Sequence, residues 1–319
     1  MNILVIIELA QGKPATASLE QLALARGLAD AGCVVAMLPS ADPAQAEALI
    51  ARGADKVYVG GSEIFDGYNS DVWVDCAAQL ARDNAATLVL AAHTPCGADV
   101  APRLAFRLHA GCATGCVGIE RTDAALLFTR TCHGGNVRET LRFKTDIAVA
   151  TLRAGIGDAL RADDTRRGDI IVIREAPPSR IRVIERRRDD SAPRLEDADV
   201  IVAGGRGLNG PEGFNVLAPL AEALGGVVGA SRVPCDLGWC SHAMQIGLTG
   251  KTVTPALYIA VGISGASHHL AGCGNAKTIV AINTDADAAI FRDAKFGVVG
   301  DYAKVVPALT AAVKALPPR

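Results

Sequence analysis

Aromatic side chains are scarce in this chain, at 4% of its 319 residues. A core without them must be filled by Ala, Val, Leu and Ile, and half of the residues are hydrophobic. That suits helices layered on a parallel sheet better than an aromatic-rich sandwich. A strong charge of either sign is also missing, because the formal net charge is −2. A phosphate backbone calls for a clustered basic surface, so nucleic acid is not an expected partner. Long hydrophobic runs are absent as well. The N-terminal Met1-Asn-Ile-Leu-Val-Ile-Ile-Glu8 is apolar only as far as its glutamate and carries no basic leader or cleavage site, so it reads as a first buried strand. No membrane insertion is expected. The nine cysteines, Cys33, Cys76, Cys96, Cys112, Cys116, Cys132, Cys235, Cys240 and Cys273, lack the dense, even framework of a secreted disulfide scaffold. A reducing, cytoplasmic setting is the expectation.

Several signatures of chemistry are missing too. Gly-x-Gly-x-x-Gly does not follow the first strand, since Leu4 to Lys13 holds a single glycine. Lys251 suggests a nucleoside-triphosphate loop, but that frame requires glycine where this chain has Gln245. No Gly-x-Ser-x-Gly elbow occurs, so hydrolysis has no footing. Cys235-x4-Cys240-x-His242 and Cys112-x3-Cys116 lack a second ligand pair for zinc, and free thiols are expected there. His268 and His269 are adjacent and point apart on a helix, which argues against one shared metal.

What is present is an alternation of strand and helix. Strands are predicted over 3–8, 34–38, 56–59 and 87–91, with helices over 18–31, 43–52, 71–82 and 98–108. From Cys116 to Thr151 the pattern changes to short runs, 125–130, 138–143 and 147–151, expected as antiparallel additions to the sheet edge. Residues 180–184 alternate apolar and charged, as an edge strand would. The run Glu185-Arg-Arg-Arg-Asp-Asp190 reads as a solvated linker, with the domain boundary near Arg187 to Glu196.

Beyond it the alternation restarts, with strands over 199–203, 226–230, 257–261 and 278–282. Helices are expected over 212–224, 266–273 and 302–315, and 233–255 reads as loop-rich. The fold expected is α/β with two Rossmann-like domains, 1–188 and 189–319, the second a doubly wound parallel sheet. Its strand ends fall at Gly204-Gly205, Ser231-Arg232, Gly262-Ile263 and Asn283. In Leu257 to Gly272 an apolar strand breaks at Gly262, passes Ser264-Gly265 and resumes as a helix. Such a turn brings backbone N–H groups and a helix N-terminus to an anion such as a pyrophosphate.

The blocks Val202-Ala-Gly-Gly-Arg-Gly207, Val228-Gly-Ala-Ser-Arg232, Gln245-Ile-Gly-Leu-Thr-Gly-Lys251, Tyr258 to Gly272, Thr278-Ile-Val-Ala-Ile-Asn283 and Gly297-Val-Val-Gly-Asp301 resemble the α subunit of electron-transfer flavoproteins, in the family's order. The resemblance implies an electron carrier without a substrate-transforming site of its own. It implies FAD in the C-terminal domain, and a β subunit that forms a heterodimer with this chain and holds AMP or a second FAD. Donors would be primary flavin dehydrogenases of the acyl-CoA type, serving fatty acid β-oxidation, or of the N-methyl amine type. The acceptor would be a quinone oxidoreductase or another carrier. The N-terminal domain, which carries the block His133-Gly-Gly-Asn136, would make subunit contacts.

Residue by residue, the resemblance places Arg206 at the pyrophosphate and Arg232, after Ser231, beside the flavin ring. A fixed cation there stabilises negatively charged reduced forms. Gln245, Ile246, Gly247, Leu248 and Thr249 form the loop reaching ring N5 and the pyrimidine carbonyls, with Leu248 standing where glutamine is usual. Ser264, Gly265, Ala266 and Ser267 make the phosphate turn. His269 matches the histidine that bonds the C2 carbonyl, and His268 replaces a glutamine. Asn283 and Asp301 face the adenosine half, and Tyr302 is a further cofactor-binding residue. Two other readings of the residues stay open: a nicotinamide-dependent dehydrogenase, and a non-redox nucleotide-binding scaffold.

Overall fold

The structure is a computed structural model and describes residues 1–40, 42–61, 65, 67–135, 137–185 and 195–316. Most of the expected linker, 186–194, and Asn136 lie outside the described residues. The chain divides into two compact units, Met1–Cys132 with Val137–Arg186, and His133–Asn136 with Arg187–Arg319.

In the first unit, β1 (Ile3–Ile6) leads through a small hairpin, β2 (Leu9–Ala10) and β3 (Lys13–Pro14), to α1 (Thr16–Ala29). Then follow β4 (Val34–Leu38), α2 (Pro43–Ile50), β5 (Lys56–Gly60), α3 (Ser70–Asp83), β6 (Leu88–Ala92) and α4 (Pro95–Leu108). The last helix opens earlier than the expected 98 because Thr94 caps it, accepting from Gly97 N at 3.0 Å, and Pro95 supplies the first turn. The remaining strands are β7 (Gly111–Arg121), β8 (Leu126–Cys132), β9 (Val137–Leu141), β10 (Ala148–Leu152) and β11 (Asp169–Ile173). The sheet has nine strands in the order β11-β5-β4-β1-β6-β10-β7-β8-β9.

Two expectations fail here. Residues 147–151 do not extend the edge antiparallel; β10 is an interior strand, parallel to both β6 and β7. Its residues are buried throughout, and a continuous apolar run marks a strand covered on both faces. Residues 180–184 form no strand. The edge is taken by β11, paired parallel with β5, while Ile184 is 94% exposed.

The second unit contains β12 (Val200–Gly204), α5 (Gly213–Ala223), β13 (Val227–Ala230), the short α6 (Arg232–Asp236) inside the region expected as loop, and β14 (Leu257–Val261). It continues with α7 (Ser267–Cys273), β15 (Ile279–Asn283), β16 (Phe296–Val299) and α8 (Tyr302–Lys314). All pairs in the order β13-β12-β14-β15-β16 are parallel. Period two divides the strands between two cores. Val202, Ile259, Val261 and Ile282 pack with Leu217 and Leu220 of α5 and Val306 of α8. Ile201, Ala203, Tyr258, Ala260 and Ala281 face Ile246, Val253 and Ile290. From β12 the chain moves to β13 on one side, then returns to β14 on the other, so the strand order reverses between β12 and β14. Open sheets of this kind bind ligands outside the strand ends at such a reversal.

Candidate functional site

A cavity of about 830 Å³ opens at these carboxyl ends, within the roughly 300–1,000 Å³ typical of small-molecule and cofactor sites. Backbone forms its floor. Gly205 N donates to Val261 O at 2.8 Å and Gly207 N to Gly262 O at 3.0 Å, so the ends of β12 and β14 touch without intervening side chains. Gly262 sits at φ +63, and a Cβ there would lie 2.9 Å from Gly207. Only glycine permits both the conformation and the approach. Arg206 is carried on the adjoining turn, exposed and lining the cavity.

The loop after α6 is stitched to the strand ends: Ile246 N donates to Ala230 O at 2.8 Å and Leu248 N to His268 O at 2.7 Å. Within it a directed chain of hydrogen bonds runs towards the cavity. His242 Nδ1 lies 3.2 Å from Gln245 Oε1, which can only accept, so the ring nitrogen carries the hydrogen. The Gln245 amide then donates from Nε2 to Thr249 Oγ1 at 3.0 Å. With a lone pair of its oxygen taken, the Thr249 hydroxyl keeps its own hydrogen for a group in the cavity it lines.

His269 is 7% exposed, and both ring nitrogens are engaged. Nδ1 donates to Ile246 O at 3.1 Å, which leaves Nε2 bare to accept from Tyr258 Oη at 2.9 Å. Burial pulls its pKa from 6.5 down to about 4, against the carbonyl bond that raises it, so the ring is neutral at neutral pH. The expected ring N–H donation to a ligand therefore meets a side chain whose hydrogen is already spent inside the protein. His268, by contrast, is exposed and lines the cavity.

Most of the expected site residues come together here. Arg206, Ser231, Arg232, the run Gln245 to Thr249, Ser264, Ala266, His268, His269 and Asn283 all line the cavity. Arg232 is largely exposed and pairs with Asp236 at 3.0 Å. Asn283 is half spent on its own turn, its Nδ2 donating to Ile263 O and its Oδ1 accepting from Asp285 N, each at 3.0 Å. Gly265, Ser267, Asp301 and Tyr302 do not line it. Asp301 caps α8 by accepting from Ala303 N at 2.9 Å, and the Tyr302 hydroxyl donates to Leu208 O at 2.9 Å. Sequence reasoning missed the apolar wall of Val233, Leu237 and Trp239. A tryptophan in a loop of an aromatic-poor chain was the available signal.

Fold and cavity define an α/β protein with a strand-end cavity that has a glycine floor, an arginine at its side and an apolar wall. Residues 3–178 match the family described as electron transfer flavoprotein domain, and 194–274 match the electron transfer flavoprotein FAD-binding domain. The electron transfer flavoprotein subunit alpha of Thermoanaerobacterium thermosaccharolyticum is 39% identical, covering 99% of this chain and 98% of the relative. That of Bacillus subtilis is 38% identical over 99% and 98%. The protein FixB of Clostridium saccharobutylicum is 33% identical over 98% and 96%. The chain belongs to the electron transfer flavoprotein α-subunit family.

Among the described residues, no helix is long and apolar enough to cross a membrane, and no cluster of three His, Cys, Asp or Glu residues could hold a metal.

Proposed function

We propose that the cavity at the β12/β14 reversal holds FAD and that the chain works as an electron carrier in a heterodimer with a β subunit, in the cytoplasm. Supporting this reading is one observation above the others: Arg206, the Gly207/Gly262 backbone cradle and the Thr249 hydroxyl line a single cavity with an apolar wall of Trp239 and Leu237. A dinucleotide needs a cation and a close backbone approach at its diphosphate, and apolar walls with few polar groups around its ring. The cofactor supplies the redox chemistry; the chain binds, orients and excludes water. Arg206 faces the diphosphate, and Thr249 donates to a ring acceptor under the direction of Gln245. Arg232 adds positive charge where negative charge accumulates on reduction. His269 holds the 246–248 loop against α7 as a neutral strut. Residues 189–319 carry the cofactor contacts and 1–188 the subunit contacts. Electrons come from primary flavin dehydrogenases and leave to a quinone oxidoreductase or a comparable acceptor.

The test is co-expression with the β subunit followed by a visible spectrum. Oxidised flavin bands at one FAD per cavity support the carrier, with Arg206→Ala lowering FAD affinity at least tenfold. A colourless protein that binds nicotinamide nucleotides would overturn it in favour of a dehydrogenase. A colourless protein that binds neither would leave a scaffold.

A further inference from the structure

Two thiols meet just behind the cavity wall. Helix α6 ends in a tight reversal in which Gly238 N donates to Cys235 O and Trp239 N to Pro234 O, each at 2.9 Å. Gly238 takes the left-handed conformation, φ +71, that this helix stop requires. The reversal folds Cys240 back over the helix, and its Sγ comes to 3.5 Å from Cys235 Sγ. Both cysteines are reduced in the structure, Cys235 buried and Cys240 half-buried. The same helix and turn carry Arg232, Val233, Leu237 and Trp239 into the cavity wall.

We propose that Cys235 and Cys240 are a redox-active pair, which a hydroperoxide closes into a disulfide that locks this section of wall. Cys240, the more accessible, attacks the peroxide as its thiolate. The O–O bond breaks, the sulfur gains an oxygen as sulfenic acid, and the departing hydroxide takes the thiol proton as water. Cys235 sulfur then attacks Cys240 sulfur; the S–O bond breaks and a second water leaves with the remaining protons. Two thiols and one hydrogen peroxide become one disulfide and two waters, the sulfurs losing the two electrons that the peroxide gains. An external dithiol reverses the step by exchange. Burial pushes the Cys235 thiol up and the Cys240 thiol up to about 12, so closure is slow and answers sustained oxidant rather than a brief pulse. Once closed, the bond ties the end of α6 to the residue after Trp239, and the wall can no longer part to let a ring in or out.

The disulfide is tested without reference to any cofactor; the effect on exchange rests on the FAD reading. The full chain, with its β subunit, is treated with hydrogen peroxide, quenched in acid, alkylated under denaturing conditions and cut with trypsin without reduction. Cleavage after Arg232 and Lys251 releases 233–251, a peptide with both cysteines and no other. The expected peptide is untagged and lighter by two hydrogens, and it regains both tags after dithiothreitol. Two alkylated cysteines beside an oxidised Met244, or a link to a different peptide, would overturn the assignment. For the clamp, the peroxide-treated complex should release flavin at least threefold more slowly than the reduced one, and Cys240→Ser should abolish the difference. Equal release rates with the disulfide formed would sink the clamp while leaving flavin binding itself untouched.

Discussion

The two sheets end in opposite ways, although both reverse their strand order beside a central strand. At the carboxyl ends of β1, β6 and β10 the polar side chains are spent on one another. Thr94 Oγ1 donates to Glu8 at 2.6 Å, His93 Nδ1 lies 2.8 Å from Thr151 Oγ1, and the same oxygen accepts from Gly115 N at 2.9 Å. Burial raises the Glu8 carboxyl and, with the nearby Arg153 charge, lowers the His93 imidazolium. At the ends of β12 and β14 glycine replaces these groups; Gly205 N and Gly207 N bond across to Val261 O and Gly262 O, and a cavity opens over them. One architecture thus yields a filled end and an open one, and the difference lies in what stands at the strand ends: polar side chains that pair with one another, or glycines with no side chain to fill the space.

The largest effect should come from giving the open end a side chain. Gly262→Val places a Cβ against Gly207 at a positive φ. Flavin content of the purified heterodimer should fall below about a tenth of the parent's, with a strain cost of about 1–3 kcal/mol seen as a lower Tm. Retained flavin would show that the cradle is not needed.

Next in size is an acid dependence that belongs to the second unit. The His269 pKa of about 4 in the folded protein lies below its ordinary 6.5. The unfolded chain therefore takes up this proton first, and the stability it contributes is complete above about pH 6.5 and is lost as pH falls towards 4. The slope is about 1.4 kcal/mol per pH unit in that window. Urea titrations of the parent and His269→Asn should diverge there, and parallel curves would contradict the neutral strut.

A matched pair then separates the ends. Thr151→Val leaves Gly115 N and His93 without their partner, and Tyr258→Phe leaves His269 Nε2 without its donor; each should cost about 1–3 kcal/mol. Equilibrium dialysis should find flavin affinity unchanged in the first and several-fold weaker in the second. The smallest effect is electrostatic. Arg232→Ala should lower the flavin potential by on the order of tens of millivolts, where about 59 mV is a tenfold change for one electron. An unchanged potentiometric titration would restrict Arg232 to shaping the wall.

The two-domain α/β architecture and most of the cavity were legible because apolar runs bounded by glycine are local signals. What was not legible depends on partners far away in sequence. Residues 147–151 read as an edge addition because they follow short runs separated by glycine and polar residues, yet burial on both faces puts β10 inside the sheet. Residues 180–184 alternate correctly for a strand, but β11 already holds the edge. His269 lines the cavity, and its Nδ1 hydrogen is committed to Ile246 by a contact no spacing rule could reveal. Asp301 and Tyr302 matched the family blocks; Asp301 caps α8 through Oδ1, Tyr302 bonds Leu208 O, and neither lines the cavity.

The insertion of β10 between β6 and β7 also governs how the first unit can be made. Ala148 pairs with both Leu88 and Gly111, and Asp169 pairs with Lys56. On the ribosome, β6 and β7 emerge with facing edges that no earlier segment can fill, and β5 waits still longer for its neighbour. Such long-range pairings are slow, and open edges are templates for association with other chains. A nascent chain stopped after β9 would therefore expose a vacant slot in mid-sheet rather than a trimmed margin, and would need shielding until residues 148–173 had cleared the exit tunnel.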